Sequence, residues 1–554
     1  MKTHFFLFLC TICFYTCAQT SAKIVSDIVQ ADPVKSTIHQ ENIGNIRFSS
    51  NSYGQKKYTE NDFISSYEIT DQSNLNFIAY LDNSLTNYLH QLDTTLTVDA
   101  LVKKGNYQFS FYIDNNLIYK ENLHWRANTP SQKNKETILY RPFLSSEGFD
   151  SWGCFLWTRF FFYNGGADAL EIGNHTLKIE LRPYLKNTNG IIEGDVIATG
   201  EIELKLHEPP ITAAEKMIQT IQPNSGWDLF TDDYNTEKIE ALNEKIAQNR
   251  FKDITSIVVI KDGKLVLEEY FNGTNRNTLH NTRSVGKSFA STIIGIAIED
   301  GYIKNIDQTL NEFYDLRKYA NYSSKKDSIT LKSLLTMSSP FDGSDNDEDT
   351  PGNDSKMYPS NDWIAFTLNL PLNAVKTNGK QFDYFTPGAV LLGDIINKAV
   401  PKGLENYTDE KLFKPLGITN YHWQYTPKNE AHTAGGLEMS ALDFAKYGQL
   451  YQNKGVWNGE QILPKSWVAK TFYNYFTDMP NQTPYGLLFW NKKYKIGDAV
   501  YETFQASGYG GNKVIICIDE PVVIVITATA FGKPYAHSQV DRMLKHYILP
   551  AILE

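Results

Sequence analysis

The stretch from Ser284 to Gly301 constrains this 554-residue chain more than any other. Phe289, Ile293, Ile296 and Ala297 recur at helical spacing, while Ile294 and Ile298 fill the other side. The spacing predicts a helix that is apolar nearly all round, and such a helix belongs at the centre of a large core. Asp300-Gly301 stops it. At its start stand Ser284 and Lys287, three residues apart and therefore on one face of the first turn. A serine hydroxyl is a weak nucleophile until a base takes its proton. A lysine serves as that base only as a neutral amine, which burial and the positive potential of a helix N-terminus both favour. The same N-terminus points N–H groups toward a developing oxyanion. Ser-x-x-Lys alone also arises by chance, so the surrounding sequence has to carry the assignment. A phosphate loop is excluded, because Gly286-Lys287-Ser288 would need a glycine five residues before Gly286, and position 281 is Asn.

The length predicts two or three domains. Lys2 and His4 precede an apolar run from Phe5 to Cys17, with small residues around Ala18 and Ala22. This reads as a secretory signal over residues 1–18, so a periplasmic or extracellular location is expected. Acylation of Cys17 is the lesser alternative, since Phe14 stands where a lipoprotein signal expects Ile, Leu or Val. No later stretch is long and apolar enough for a membrane helix. The net charge of −10 has no compensating basic block, which argues against nucleic acid as a partner. Of five cysteines, Cys154 and Cys517 lie beyond the signal, both in apolar contexts, and are expected as buried free thiols. No Cys/His spacing suits zinc, and no metal or organic cofactor is expected.

Residues 30–208 carry short alternating segments separated by turn residues. Examples are Thr95 to Leu101, Tyr107 to Tyr112 and Thr176 to Leu181, and the period predicts antiparallel strands in a β-sandwich. The aromatic cluster Trp152 to Tyr163 reads as a core strand, with a ligand platform as the alternative. A carbohydrate or peptide is the kind of ligand such a domain would take. Glu208-Pro209-Pro210 ends the β pattern, a helical stretch begins near Thr212, and residues 209–236 read as a linker. Residues 237–554 have mixed α/β texture, opening with strands either side of Asp262-Gly263, a strong hairpin signal.

Several ordered blocks in this second part resemble the class C β-lactamase-like serine hydrolases, a family that includes esterases, D-amino-acid peptidases and amide hydrolases related to penicillin-binding proteins. The blocks are Arg283 to Phe289 with Gly295 to Gly301, then Ile329 to Ser339, then Phe382 to Thr386 with Leu391-Leu392-Gly393. Pro415 to Ile418, Ala434 to Leu437, Gly455 to Gly459 and Ala506 to Gly511 follow in the same order. The resemblance covers roughly Lys252 to Leu553. It implies an antiparallel sheet flanked by helices, with a helical subdomain from about Ile306 to Asn491 and the site in the cleft between these lobes.

By this resemblance Ser284 would be acylated, Lys287 would be its base partner, and Tyr384 would shuttle protons to the leaving group. The backbone N–H groups of Ser284 and Tyr509 would form the oxyanion hole, and Thr386, Ser507 and Gly508 would face substrate. A phenol suits proton transfer only if cations lower its pKa, and Lys287 is the expected source. Two departures matter. Thr386 stands where the family places an Asn, and Ala506 where β-lactamases carry a Lys. An ester or small-amide hydrolase is therefore expected ahead of a β-lactamase or D-amino-acid peptidase. A third reading makes the β-sandwich a binding module and the hydrolase-like part a slow acylated sensor. Asp342 to Lys356 reads as a solvated loop that shapes the pocket.

Overall fold

The computed structural model describes residues 25–51, 58–70, 73–145, 151–476 and 484–554, so the signal segment and Cys17 lie outside the described residues. The chain divides into two compact units, Met1–His207 and Glu208–Glu554. No helix among the described residues is long and apolar enough to cross a membrane.

The first unit is rich in antiparallel strands, in two sheets around one core. The smaller sheet orders Ile46–Ser49, Leu75–Tyr80 and Ile138–Leu144. The larger runs Ser66–Glu68, Ala198–Leu206, Gly173–Asn187, Gly105–Ile113 and Asn116–Asn122, antiparallel except where Ser66–Glu68 joins Ala198–Leu206. Alternate residues of both sheets meet in the core, where Phe77 lies 5.6 Å from Phe109 and 5.8 Å from Phe143 between ring centroids.

Two segments depart from the expected strands. Thr95–Leu101 contributes to a helix, Val98–Lys104, because Thr97 accepts the Ala100 N–H as N-cap. Val98, Leu101 and Val102 then share a face, and Leu101 and Val102 are buried. The local alternation of Leu96 and Val98 hid that 3.6-residue spacing. Trp152–Tyr163 is a helix, Trp152–Thr158, followed by a wider turn through Tyr163. Trp157 contacts Phe160 and Phe161, three and four residues on, and Phe155 and Tyr163 are exposed.

The second unit is built on a six-stranded antiparallel sheet. Its strands are β1 (Ile254–Lys261), β2 (Lys264–Tyr270), β3 (Trp490–Ile496), β4 (Ala499–Gly508), β5 (Asn512–Cys517) and β6 (Val522–Ala528), in the order β2-β1-β6-β5-β4-β3. Asp262 and Gly263 both take left-handed φ, 52° and 72°, which closes the β1–β2 hairpin with the natural strand twist. The central strands β1, β5 and β6 are covered on both faces and are accordingly apolar at most positions. Val258, Ile260, Ala506 and Val514 pack toward a core shared with α1 (Val285–Glu299) and α3 (Ala441–Gln452). Ile257, Val259, Ile515 and Cys517 pack toward α4 (Ala536–Met543) and the last helices of the chain. Cys517 is buried as expected, whereas Cys154 in the first unit is only half-buried; both thiols are free. Residues 209–236 pack on this sheet, where Gln219 pairs with Tyr270 through side chain and backbone and Phe230 N–H donates to Leu265 O at 3.0 Å.

Candidate active site

Ser284 sits at the N-cap of α1, with φ −62° and ψ −3°, after Arg283 in the left-handed region at φ 54°. A serine there normally accepts an N–H of the first turn. This one makes no such cap. Its hydroxyl is instead engaged by Lys287, whose Nζ donates to Ser284 Oγ and to Ala434 O, each at 2.7 Å. Helix α1 that holds the pair is pinned by polar contacts as well as by its apolar faces. Thr292 Oγ1 lies 2.8 Å from both Tyr447 and Tyr451 hydroxyls, and Ser288 Oγ donates to Leu488 O at 2.7 Å.

Lys287 is 2% exposed, and burial pushes its pKa down to about 8, with Asp345 and Asp354 opposing. About a tenth is therefore the free amine that a base requires at neutral pH, and about half at pH 8. The Lys287 nitrogen lies 5.3 Å from the ring centroid of Tyr384, which stacks on Trp490 with centroids 5.8 Å apart. The expectation that a cation lowers the Tyr384 pKa is corrected by the structure. Burial raises it well above the ordinary phenol value, the Ser284 hydroxyl opposes through a hydrogen bond, and Asp345, Tyr358 and Asp354 raise it further. At neutral pH Tyr384 is a protonated acid, suited to give a proton to a leaving group rather than to take one from serine.

The other side of the turn is closed by bare backbone. β4 pairs with β3 as far as Gln505, opposite Trp490, so among the described residues Ala506 to Gly508 run on with β5 as their only strand neighbour. A Cβ on Gly508 would stand 1.8 Å from Thr282 O and 3.2 Å from Val285 N, so only glycine lets the strand end reach the Ser284 turn. Gly435 fills the opposite side, where a Cβ would stand 2.9 Å from the Arg283 carbonyl. This brings Tyr509, the next residue, beside the Ser284 turn. The Tyr509 ring is exposed and stacks on Phe531 at 5.9 Å, while the Arg283 guanidinium lies 4.9 Å from the same ring.

Of the sequence-derived candidates, Ser284, Lys287 and Tyr384 meet around one point, and Gly508 lies against them with Ser507 adjacent. Thr386 does not face open space. It is 2% exposed, starts helix α2 (Thr386–Ala399), and donates both its N–H (3.0 Å) and its hydroxyl to Asp345. Its expected role as a group facing substrate is thus replaced by that of a donor that fixes Asp345 at the start of the helix.

Asp345 is a residue the sequence did not disclose. Burial raises its pKa to about 6, with Lys287 and Thr386 opposing. It brings an acidic group into the field of Lys287, together with half-buried Asp354. Both belong to the 342–356 loop, whose Asn346–Asp349 tip is exposed but whose Asn353 amide donates to Ser344 O at 2.9 Å. Asp-rich composition pointed to solvent, and nothing local marked which aspartate turns inward. Among the described residues no three His, Cys, Asp or Glu side chains are grouped to hold a metal ion.

Residues 247–547 match the β-lactamase family model, more than half of the chain. The chain belongs to the β-lactamase family. Protein flp of Staphylococcus aureus (strain COL) is 24% identical over 211 residues, 37% of this chain and 41% of that one. The chain thus spans about two fifths of the length of that curated relative. Among solved structures, the octameric penicillin-binding protein homologue from Pyrococcus abyssi is 20% identical, over 56% of this chain and 76% of that one, with a TM-score of 0.43. A class C β-lactamase is 16% identical, over 55% and 95%, with a TM-score of 0.41.

Proposed function

We propose that the protein is an exported serine hydrolase that cleaves an ester or small amide through an acyl-enzyme on Ser284. The observation that carries this reading is the 2.7 Å contact between Lys287 Nζ and Ser284 Oγ, made by an amine whose pKa is near 8. In this reaction neutral Lys287 takes the Ser284 proton as Oγ attacks the substrate carbonyl. The Ser284 and Tyr509 N–H groups hold the oxyanion. Collapse breaks the bond to the leaving group, which takes the Tyr384 proton, and water then releases the acid by the reverse sequence. Ala506 offers no charge to an antibiotic's carboxylate, which supports ester or amide substrates over β-lactams.

The test is p-nitrophenyl butyrate turnover with the intact mass of the protein followed in time. A transient gain of one butyryl group, absent in Ser284→Ala together with turnover, is the expected result. Equal rates in both proteins would favour the binding or sensor reading. Brisk cleavage of a chromogenic cephalosporin would overturn the preference against β-lactams.

A further inference from the structure

Residues 342–356 fold back on themselves, because the Asn353 amide donates to Ser344 O at 2.9 Å and the Gly352 N–H to Asp342 O at 3.0 Å. Asp345 and Asp354 thereby enter one electrostatic field, in which both act on Lys287 and Asp354 acts on Asp345. Asp345 is anchored beside Tyr384, its N–H donating to Tyr384 O at 2.8 Å. Lys287 is the cation that both carboxylates feel, and neither makes an ion pair with Lys or Arg among the described residues. The remaining titratable groups of this wall are uncharged at neutral pH. Burial, with Lys287 assisting, pushes the His432 pKa down to about 4, and burial leads the rise of Tyr384 and of Tyr358, the latter to about 12. The Arg283 guanidinium acts on Tyr358 but stands over the Phe531 ring. Two carboxylates therefore face one ammonium, and when Lys287 gives up its proton to serve as base they face none. Tyr358 is 48% exposed and meets Trp363 at 5.4 Å between centroids, and Trp363 meets His432 at 5.1 Å. His432 is 6% exposed, and its Nδ1 is buried without a hydrogen-bond partner among the described residues. The loop tip adds the exposed Asp347, Glu348 and Asp349 at the entrance.

We infer that Asp345 and Asp354 receive the cationic amine of a positively charged substrate, and that its arrival makes Lys287 release its proton to solvent and become the base. The chemistry is direct. The two carboxylates hold the proton on Lys287 while the site is empty of other cations, and a second positive charge beside them cancels that hold. The Tyr358 ring offers a face to the same cation, and the orphaned His432 nitrogen offers a hydrogen-bonding group to an amine that keeps its protons. The substrate that fits is thus also the one that arms the nucleophile. This inference rests on the reading of Ser284 as nucleophile.

The experiment compares two p-nitrophenyl esters of one shape, the 4-(trimethylammonio)butyrate, whose charge is independent of pH, and the neutral 5,5-dimethylhexanoate. The first quantity is the ratio of their kcat/KM values in the full-length protein, which is unaffected by the fraction of folded enzyme. The ratio should favour the cationic ester by about tenfold or more, and Asp354→Asn and Asp345→Asn should each remove most of that preference. The second quantity is the pH dependence of kcat, which reports the bound state. Its rising limb should lie about one unit lower with the cationic ester than with the neutral one, and the two limbs should draw together in Asp354→Asn. A ratio unchanged in both variants overturns the assignment of the carboxylates, and coincident limbs in the wild type overturn the coupling to Lys287. Asp345→Asn also disturbs the contact with Thr386, so Asp354→Asn, which touches neither Thr386 nor Tyr384, decides where the two variants differ. Hydrolysis of the neutral ester that persists in Ser284→Ala overturns the acyl-enzyme reading instead, so the two failures are distinguishable.

Discussion

The two units each bury a lysine, and the pair differ in what the ammonium touches. Lys133 in the first unit and Lys287 in the second are both 2% exposed, and burial lowers each pKa to about 8. Lys133 donates to three carbonyl oxygens, Val102 and Gly105 and Trp125, at 2.7 to 2.8 Å. Lys287 has one carbonyl and one hydroxyl. Three backbone acceptors use every proton of an ammonium and give it nothing to activate, so Lys133 is a strut. A hydroxyl can lose its proton, so Lys287 has a partner on which the base role proposed for it can act. A perturbed pKa marks burial, and the partner atom decides whether burial means function.

The largest effect expected is that Ser284→Ala and Lys287→Met each lower turnover by at least about 10⁴-fold, with melting temperature not reduced. Lys133→Met should do the reverse. It strands three buried carbonyls at a cost of about 3 kcal/mol, lowers the melting temperature, and leaves turnover per folded molecule intact. A Lys133 variant that folds but does not turn over would break the comparison. Tyr384→Phe should lower turnover of an anilide roughly 10²- to 10⁴-fold and that of a p-nitrophenyl ester far less, since p-nitrophenolate leaves without a proton. Equal losses on both substrates would show that the phenol is not the acid.

Gly508→Ala should lower kcat about 10- to 100-fold, because the new Cβ meets Thr282 O and forces the strand end away from the oxyanion position. Normal kcat in a stable variant would place the oxyanion donors elsewhere. The smallest effect concerns pH. The rate should rise with pH to a plateau as Lys287 loses its proton near 8. Asp345 favours the ammonium, so Asp345→Asn should move that limb to lower pH, by less than about one unit. A shift upward would remove Asp345 from the field of Lys287.

Short-range features were legible in the sequence. The Asp262-Gly263 hairpin, the apolar helix after Ser284 and its stop at Gly301 are set by neighbouring residues, and so is the Ser284–Lys287 spacing. Tyr384 came from block order and not from any local signal. Where two periods competed, as at Thr95 to Leu101, a cap at Thr97 decided for helix, and the alternation misled. The polar supports were not legible at all. Asp345 owes its position to its contact with Thr386, far along the chain, and an aspartate in an Asp-rich loop does not announce a partner. The direction of the Tyr384 shift was missed because burial, which no single sequence position states, leads it, and the nearby Asp345 and Asp354 push the same way.

The grip of Gly435 and Gly508 on the Ser284 turn has a consequence for how such an enzyme can change. The reactive oxygen is located by main chain pressed on main chain, with no side chain intervening, so exchange of residues lining the cleft leaves the attacking atom where it was. New substrates can be courted by remodelling the 342–356 loop or the Tyr509–Phe531 wall. Enlarging either glycine slows the reaction of every substrate alike.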